Sequence, residues 1–354
     1  MNRRTTNPIH VGGLTIGGEA PVSIQSMCNT DTRDVSATVR QIRALADAGC
    51  ELVRLAVVDE DAARAIKPIR AQSPVPLVAD IHFDFNLALI AVAAGVDKVR
   101  INPGNIGGND RVRAVADACR NAGVPIRIGV NGGSLERELL AKYGGVCPEA
   151  MVESALGHVA LLNQFDFDDI CISLKASNVP MTIAAYRLLA EQTSYPLHLG
   201  VTETGTARMG SIKSVIGIGS LLCDGIGDTI RVSLTADPIE EVLCAKQILR
   251  ACGLRTDSVE LVSCPTCGRC RINLIEIASE VERRLAHIRV PLKVAVMGCA
   301  VNGPGEAREA DLGMAGGDGE GLLFRHGEIL RKVPMNCIVD ELCAMAEQEI
   351  AKGN

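Results

Sequence analysis

Tryptophan is absent from the 354 residues, and aromatic residues together make up 2% of them. The interior must therefore be built from Val, Ile, Leu and Ala, a composition that suits buried parallel strands covered by helices. No apolar run approaches the roughly 18 residues of a membrane helix. The opening MNRRTTNPIHVGG carries basic residues with no hydrophobic stretch behind them, which argues against a secretory signal. Charge of one sign is also missing: 36 Lys and Arg stand against 42 Asp and Glu, a net −6. That balance excludes a global electrostatic attraction to nucleic acid or to an anionic membrane. With 47% hydrophobic and 22% charged residues, disorder, collagen and coiled coil are excluded as well. No internal repeat stands out, and no GxGxxG nicotinamide fingerprint opens a suitable βαβ unit; Gly217–Ser220 is a weak look-alike.

Glycine is plentiful, 35 residues, which implies many tight strand-to-helix turns. Short apolar runs alternate with amphipathic helical patterns from residue 20 to about 235. The runs start at Val22, Leu52, Pro76, Lys98, Pro125, Ile170, Pro196 and Thr229, and helical patterns such as 36–48, 59–71, 111–122 and 238–252 lie between them. Gly49, Gly95, Gly123 and Gly253 stand where left-handed caps end helices. Eight such units predict a TIM (β/α)₈ barrel over 1–254, close to the usual length of about 250 residues. The long gap 131–169, with a Gly-rich loop and two helical patterns, reads as a cover for an active site. Beyond 255 the rhythm changes to Cys-rich segments and Gly-rich turns, so 255–354 is expected to form a separate, small α+β domain.

Side chains alternate along a strand, and in a barrel one set faces the helices and the other the interior. Val53 and Leu55 flank Arg54, Val99 and Ile101 flank Arg100, and Ile126 and Ile128 flank Arg127. The same parity holds for Asn131, Ser173, Lys175, His198, Arg231 and Ser233, and for the pair Asp80 and His82. Five cations (Arg54, Arg100, Arg127, Lys175, Arg231) are thereby expected to point inward. A single one reads as a rim residue; five on matching parity read as a site for a multiply charged anion, because gathered like charges in a low dielectric need anionic company. Arginine forks suit phosphate oxygens. The acids in reach are few, chiefly Asp80 and Glu203. His82 and His198 are candidates for proton transfer or oxygen binding, and Lys175, among cations that depress its pKa, also has the character of a Schiff-base lysine.

Fourteen cysteines in a chain of cytoplasmic character argue for a reducing compartment and raise the question of metal. Cys264-Pro-Thr-Cys267-Gly-Arg-Cys270 nests two CxxC spacings, and Cys299 follows in VMGCAVNGPGEA. Four thiolates on this spacing suit a structural zinc or an iron–sulfur cluster; a redox dithiol would not need Cys299. Most of the other ten read as small buried hydrophobes.

ADIHFD, VRINPGNIG, IRIGVNGGSLE, LHLGVTETG, GIGDTIRVSL, SCPTCGR and GCAVNGPGEA together resemble the bacterial 4-hydroxy-3-methylbut-2-enyl diphosphate synthase family over nearly the whole chain. The resemblance implies a barrel followed by a small iron–sulfur domain, whose [4Fe–4S] cluster is held by Cys264, Cys267, Cys299 and Glu306. It replaces Cys270, the fourth ligand that spacing alone suggests, by Glu306. It further implies reductive opening of 2-C-methylerythritol 2,4-cyclodiphosphate. Arg54, Arg100, Arg127, Asn131, Lys175, His198, Arg231 and Ser233 would bind that substrate, with Glu203 and His82 as catalytic proton carriers. Flavodoxin or ferredoxin would donate electrons. A head-to-tail homodimer would set one subunit's cluster domain over the other's barrel. Two other readings stand beside it: a barrel lyase or transferase with a structural zinc, and a cluster-bearing sensor that binds RNA or a partner.

Overall fold

The computed structural model describes residues 3–299 and 307–352 and divides the chain into two compact units, Met1–Leu254 and Arg255–Asn354. In the first unit eight parallel strands surround a common axis: β3 Ser23–Met27, β4 Leu52–Val57, β5 Leu77–Ile81, β6 Lys98–Ile101, β7 Ile126–Asn131, β8 Ile170–Lys175, β9 His198–Leu199 and β10 Thr229–Ile230. They neighbour one another in the order β8-β7-β6-β5-β4-β3-β10-β9, and a parallel bridge between Ile172 and Leu197 joins the two ends into a barrel. All eight coincide with apolar runs of the sequence.

The helices of this unit are α1 Val35–Ala48, α2 Glu60–Arg70, α3 Phe85–Ala93, α4 Asn109–Ala122, α5 Arg137–Tyr143, α6 Pro148–Asn163, α7 Val179–Gln192, α8 Ala207–Cys223 and α9 Pro238–Ala251. Their ends follow local chemistry. The Asp34 carboxylate accepts the Ala37 amide at the start of α1, Asp59 does the same for Ala62 in α2, and Gly49 closes α1 in the left-handed region. The gap 131–169 is only partly a cover. α6 buries Met151, Ala155 and Leu162 and is the ordinary barrel helix between β7 and β8, whereas α5 buries no residue.

An N-terminal hairpin, β1 Ile9–Val11 and β2 Leu14–Ile16, has no counterpart in the sequence reading. Its Ile9, Val11 and Ile16 pack with Leu52, Val78 and Cys171, inward residues low on their strands, and so plug the barrel end opposite the strand C-termini. Three-residue strands are too short to display an alternation.

The second unit is a five-stranded sheet ordered β11-β12-β13-β14-β15: Val259–Ser263, Leu292–Met297, Leu312–Ala315, Glu320–Arg325 and Glu328–Pro334. The first three strands are parallel and the last two return antiparallel. Helix α10, Leu274–Leu285, and the last helix, Ile338–Lys352, bury Val281, Leu285 and Leu342 against Val294, Val296 and Leu323. Among the described residues no helix is long and apolar enough to cross a membrane.

Candidate active site

Val53, Leu55, Val99, Ile101, Ile126, Ile128, Ile172 and Leu174 all belong to the core shared with the helices. The opposite parity therefore faces the interior, where Arg54, Asp80, Arg100, Arg127, Lys175 and His198 lie, none more than 9% exposed. Arg100 Nη1 lies 3.1 Å from Asp80 Oδ1 and Arg54 Nε 3.7 Å from Asp80 Oδ2. Burial alone would raise the Asp80 carboxyl. Arg54, the His82 hydrogen bond and Arg100 outweigh it and hold Asp80 well below the usual carboxylate range. Arg54 further directs Nε and Nη2 at the sulfur of Met27, at 3.1 and 2.9 Å. Gly129 of β7 makes room for Arg100: a Cβ there would stand 2.4 Å from Arg100 Nε.

The remaining cations are poorly matched. Arg127 Nη1 donates to Ser173 Oγ at 2.8 Å, while its Nε and Nη2 have no hydrogen-bond partner. Arg231 Nη2 stands 3.6 Å from Glu241 Oε2. Glu241, buried on α9, corrects the sequence reading, which gave Glu203 the role of second compensating acid. Glu203 is exposed, with a backbone φ of 54°. Alternation on strands carries no information about a helix carboxylate, so Glu241 was not legible. Lys98 was also missed, although its parity is that of Arg100 two residues later; it is fully buried and its Nζ has no partner.

Among the described residues, six basic side chains (Arg54, Lys98, Arg100, Arg127, Lys175, Arg231) thus face two carboxylates (Asp80, Glu241), a formal surplus of four positive charges. Burial, followed by repulsion from Arg127, Arg231, Arg54 and Arg100, pushes Lys175 well below its ordinary value. His198 is displaced in the same direction by burial, Arg127 and Lys175, and is neutral at physiological pH; neither ring nitrogen has a partner. An interior charged in this way is stabilised by an anion of several charges.

Lys98 gives a measurable pH signature. Burial, with Arg127 and Arg54 adding, lowers it from 10.5 to about 8. Its folded pKa lies below its unfolded one, so the penalty is fully present below pH 8, fades as pH rises toward 10.5, and makes stability climb across that window. Lys98→Met is expected to be more stable than the parent by about 3 kcal/mol at pH 7, with the advantage shrinking by pH 10 in urea unfolding. Equal stability at pH 7 would contradict the assignment.

At the C-terminal ends of the strands a cavity of about 520 Å³ opens, lined among others by Asn131, Ser134, Lys175, Asn178 and Glu203. Asn131 and Lys175 are direct register partners on β7 and β8. His82, half exposed, lies 3.5 Å from Asp80 and 2.9 Å from Arg100 Nη1. Ser233 offers its carbonyl to the Thr204 hydroxyl. The arginines thus gather in the interior, while Asn131, Lys175 and Glu203 line the mouth.

In the second unit Cys264 directly follows β11 and Cys299 stands two residues beyond β12, its parallel neighbour. The Gly298 amide donates to Cys264 Sγ at 3.2 Å, the contact that stabilises a thiolate ligand. Cys270 Sγ instead donates to the Ile272 carbonyl at 3.2 Å, and a Cβ on Gly298 would meet that sulfur at 2.7 Å. Cys267 is exposed. Among the described residues no three His, Cys, Asp or Glu side chains converge, so the four-thiolate grouping suggested by spacing is not formed. Glu306 lies outside the described residues. The donor set still fits a thiophilic group: soft sulfurs leave two adjacent strand ends, one already bonded to an amide, and metal binding draws such loops together.

Fold and charge pattern define the class: a TIM-barrel protein with an anion-seeking interior, joined to a cysteine-bearing α/β unit. The chain matches the GcpE TIM-barrel domain over residues 6–246 and the GcpE protein C-terminal domain over 260–348. It belongs to the GcpE family. It is 61% identical over 347 residues to the 4-hydroxy-3-methylbut-2-en-1-yl diphosphate synthase (flavodoxin) of Geobacter sulfurreducens, covering 98% of each chain. To the protein of the same name from Ruminiclostridium cellulolyticum it is 59% identical over 342 residues, 97% of each chain. A Plasmodium falciparum HPPK-DHPS structure shares the barrel fold, with a TM-score of 0.50 at 12% identity over 70% of this chain and 48% of that one.

Proposed function

We propose that the protein opens 2-C-methyl-D-erythritol 2,4-cyclodiphosphate reductively to 4-hydroxy-3-methylbut-2-enyl diphosphate, a step toward isoprenoids. The cyclodiphosphate takes up two electrons and two protons and loses one water. The observation that carries the reading is the formal surplus of four positive charges in the barrel interior, half of which the two negative charges of a cyclic diphosphate would offset. The names of the relatives support the same substrate class.

In this reading Arg54, Arg100, Arg127, Lys175 and Arg231 hold the diphosphate oxygens, with Asn131 and Ser233 at the mouth. Neutral His198 supplies an N–H donor from the barrel wall. Asp80 orients Arg54 and Arg100 as a pair and keeps His82 beside them. Glu203, which lines the cavity, and the exposed His82 carry the protons that the departing oxygen needs. Cys264, Cys267, Cys299 and Glu306 would hold a [4Fe–4S] cluster, which when bound supplies the electrons singly. Flavodoxin, which the relatives' names include, is the proposed donor, and ferredoxin the second choice. A homodimer in which the second unit of one subunit closes over the barrel of the other would complete the site.

Inorganic diphosphate is expected to raise the thermal transition of the protein, by the equivalent of about 2.7 kcal/mol at a concentration a hundredfold above its Kd. The shift should fall at high salt. Iron, sulfide and zinc analysis on protein purified without oxygen tests the cofactor. About four irons and four sulfides per chain are expected, and one zinc without sulfide would sink the reading.

A further inference from the structure

The barrel unit carries a pair of thiols that the reading above does not use. Cys223 ends α8 and Cys252 directly follows α9; they are 29 residues apart in sequence, and their sulfurs lie 3.9 Å apart. Cys223 is exposed and Cys252 half-buried. Barrel helices run opposite to their strands, so both helix ends stand beside the strand N-termini, on the face away from the candidate active site.

A disulfide requires about 2.05 Å between sulfurs, so the two must approach by roughly 2 Å. The local backbone suits such a movement. Each cysteine sits where a helix runs out into a left-handed glycine, Gly225 with φ 76° and Gly253 with φ 67°. Helix ends of this kind have few ladder hydrogen bonds to break. The Cys252 thiol already rests against α8: its Sγ lies 3.8 Å from the Gly219 carbonyl, and a Cβ on Gly219 would stand 3.9 Å from it. Burial, then the neighbouring Cys223, pushes the Cys252 thiol up to about 11. Cys252 therefore stays protonated, and the exposed Cys223 is the point of entry.

We propose that Cys223 and Cys252 form a reversible disulfide by exchange with a low-molecular-weight disulfide of the glutathione type. Cys223 as thiolate attacks one sulfur of that disulfide, a mixed disulfide forms, and one thiolate leaves. Cys252 gives up its proton and attacks the Cys223 sulfur, displacing the second thiolate. Two protein thiols are oxidised to one disulfide, and the small disulfide is reduced to two thiols. The product staples α8 to α9.

The test treats full-length, cluster-loaded protein with oxidised glutathione without oxygen, blocks remaining thiols with iodoacetamide and maps the peptides by mass spectrometry. The expected result is a peptide cross-linked between Cys223 and Cys252, released by dithiothreitol, with a thermal transition roughly 5–10 °C higher than in the reduced form. Cys252→Ser should instead arrest Cys223 as a mixed disulfide with glutathione, and Cys223→Ser should leave Cys252 free for alkylation. Both variants should keep the parent's activity. Wild-type protein in which Cys223 retains glutathione while Cys252 is alkylated would overturn the proposal, as would two free thiols after exhaustive treatment.

Discussion

Cys299→Ser is expected to reduce iron and sulfide from about four of each per chain to below one. Activity should drop by about a hundredfold or more, since even partners that only support metal ligands cost 10–100-fold. The prediction rests on where the residue stands. Cys299 leaves β12 beside the end of β11, where Cys264 already receives the Gly298 amide. A serine oxygen at this position is a poor ligand for soft iron. The barrel has its own core, from Val22 to Leu249, so its thermal transition should not move. Cys270→Ser is the paired control. Its thiol hydrogen is used on the Ile272 carbonyl, and the variant should keep both cluster and activity. Full iron in Cys299→Ser would refute that ligand; loss of iron in Cys270→Ser would make Cys270 the fourth ligand and remove Glu306.

Arg127→Met should move stability and function in opposite directions. Arg127 is 1% exposed, has two nitrogens without partners, and is lowered to about 10 by burial and by Arg100. Folding therefore carries an uncompensated charge, of order 3 kcal/mol, that methionine of similar length would relieve. Ser173, its one partner, also donates to the Ile128 carbonyl and is not orphaned. The ligand-free variant should melt several degrees higher. Its affinity for the cyclodiphosphate should fall by about 10–100-fold, the worth of one or two charge-assisted hydrogen bonds. Such an exchange is the mark of a residue kept for binding rather than for folding. A variant that is both less stable and unimpaired in binding would show that Arg127 is structural.

Most of the barrel was legible because β4 to β8, of four to six residues each, are long enough to set Val, Ile and Leu on one face and a polar residue on the other. Arg54, Arg100, Arg127 and Lys175 follow directly from that alternation, as does the interior they share. Glu241 escaped because it reaches the interior from α9, and a helix shows no period-two pattern. Lys98 shares the parity of Arg100 and opens the same run, but a long amine at the end of a strand is ordinarily expected to reach solvent. The hairpin at residues 9–16 was too short to alternate. The cysteines show another limit: CxxC spacing places sulfurs along the chain, but it does not say which thiol turns to a carbonyl, as Cys270 does. The 3.9 Å approach of Cys223 and Cys252, far apart in sequence, depends on how α8 and α9 pack and has no local signal.

Phosphorus NMR of the cyclodiphosphate follows the ring opening itself. Protein with an intact cluster and reduced flavodoxin, kept free of oxygen, should replace the two ring phosphorus signals with those of a linear diphosphate, one product for every two electrons consumed. Unchanged cyclodiphosphate in the presence of protein that holds about four irons and four sulfides per chain would contradict the account.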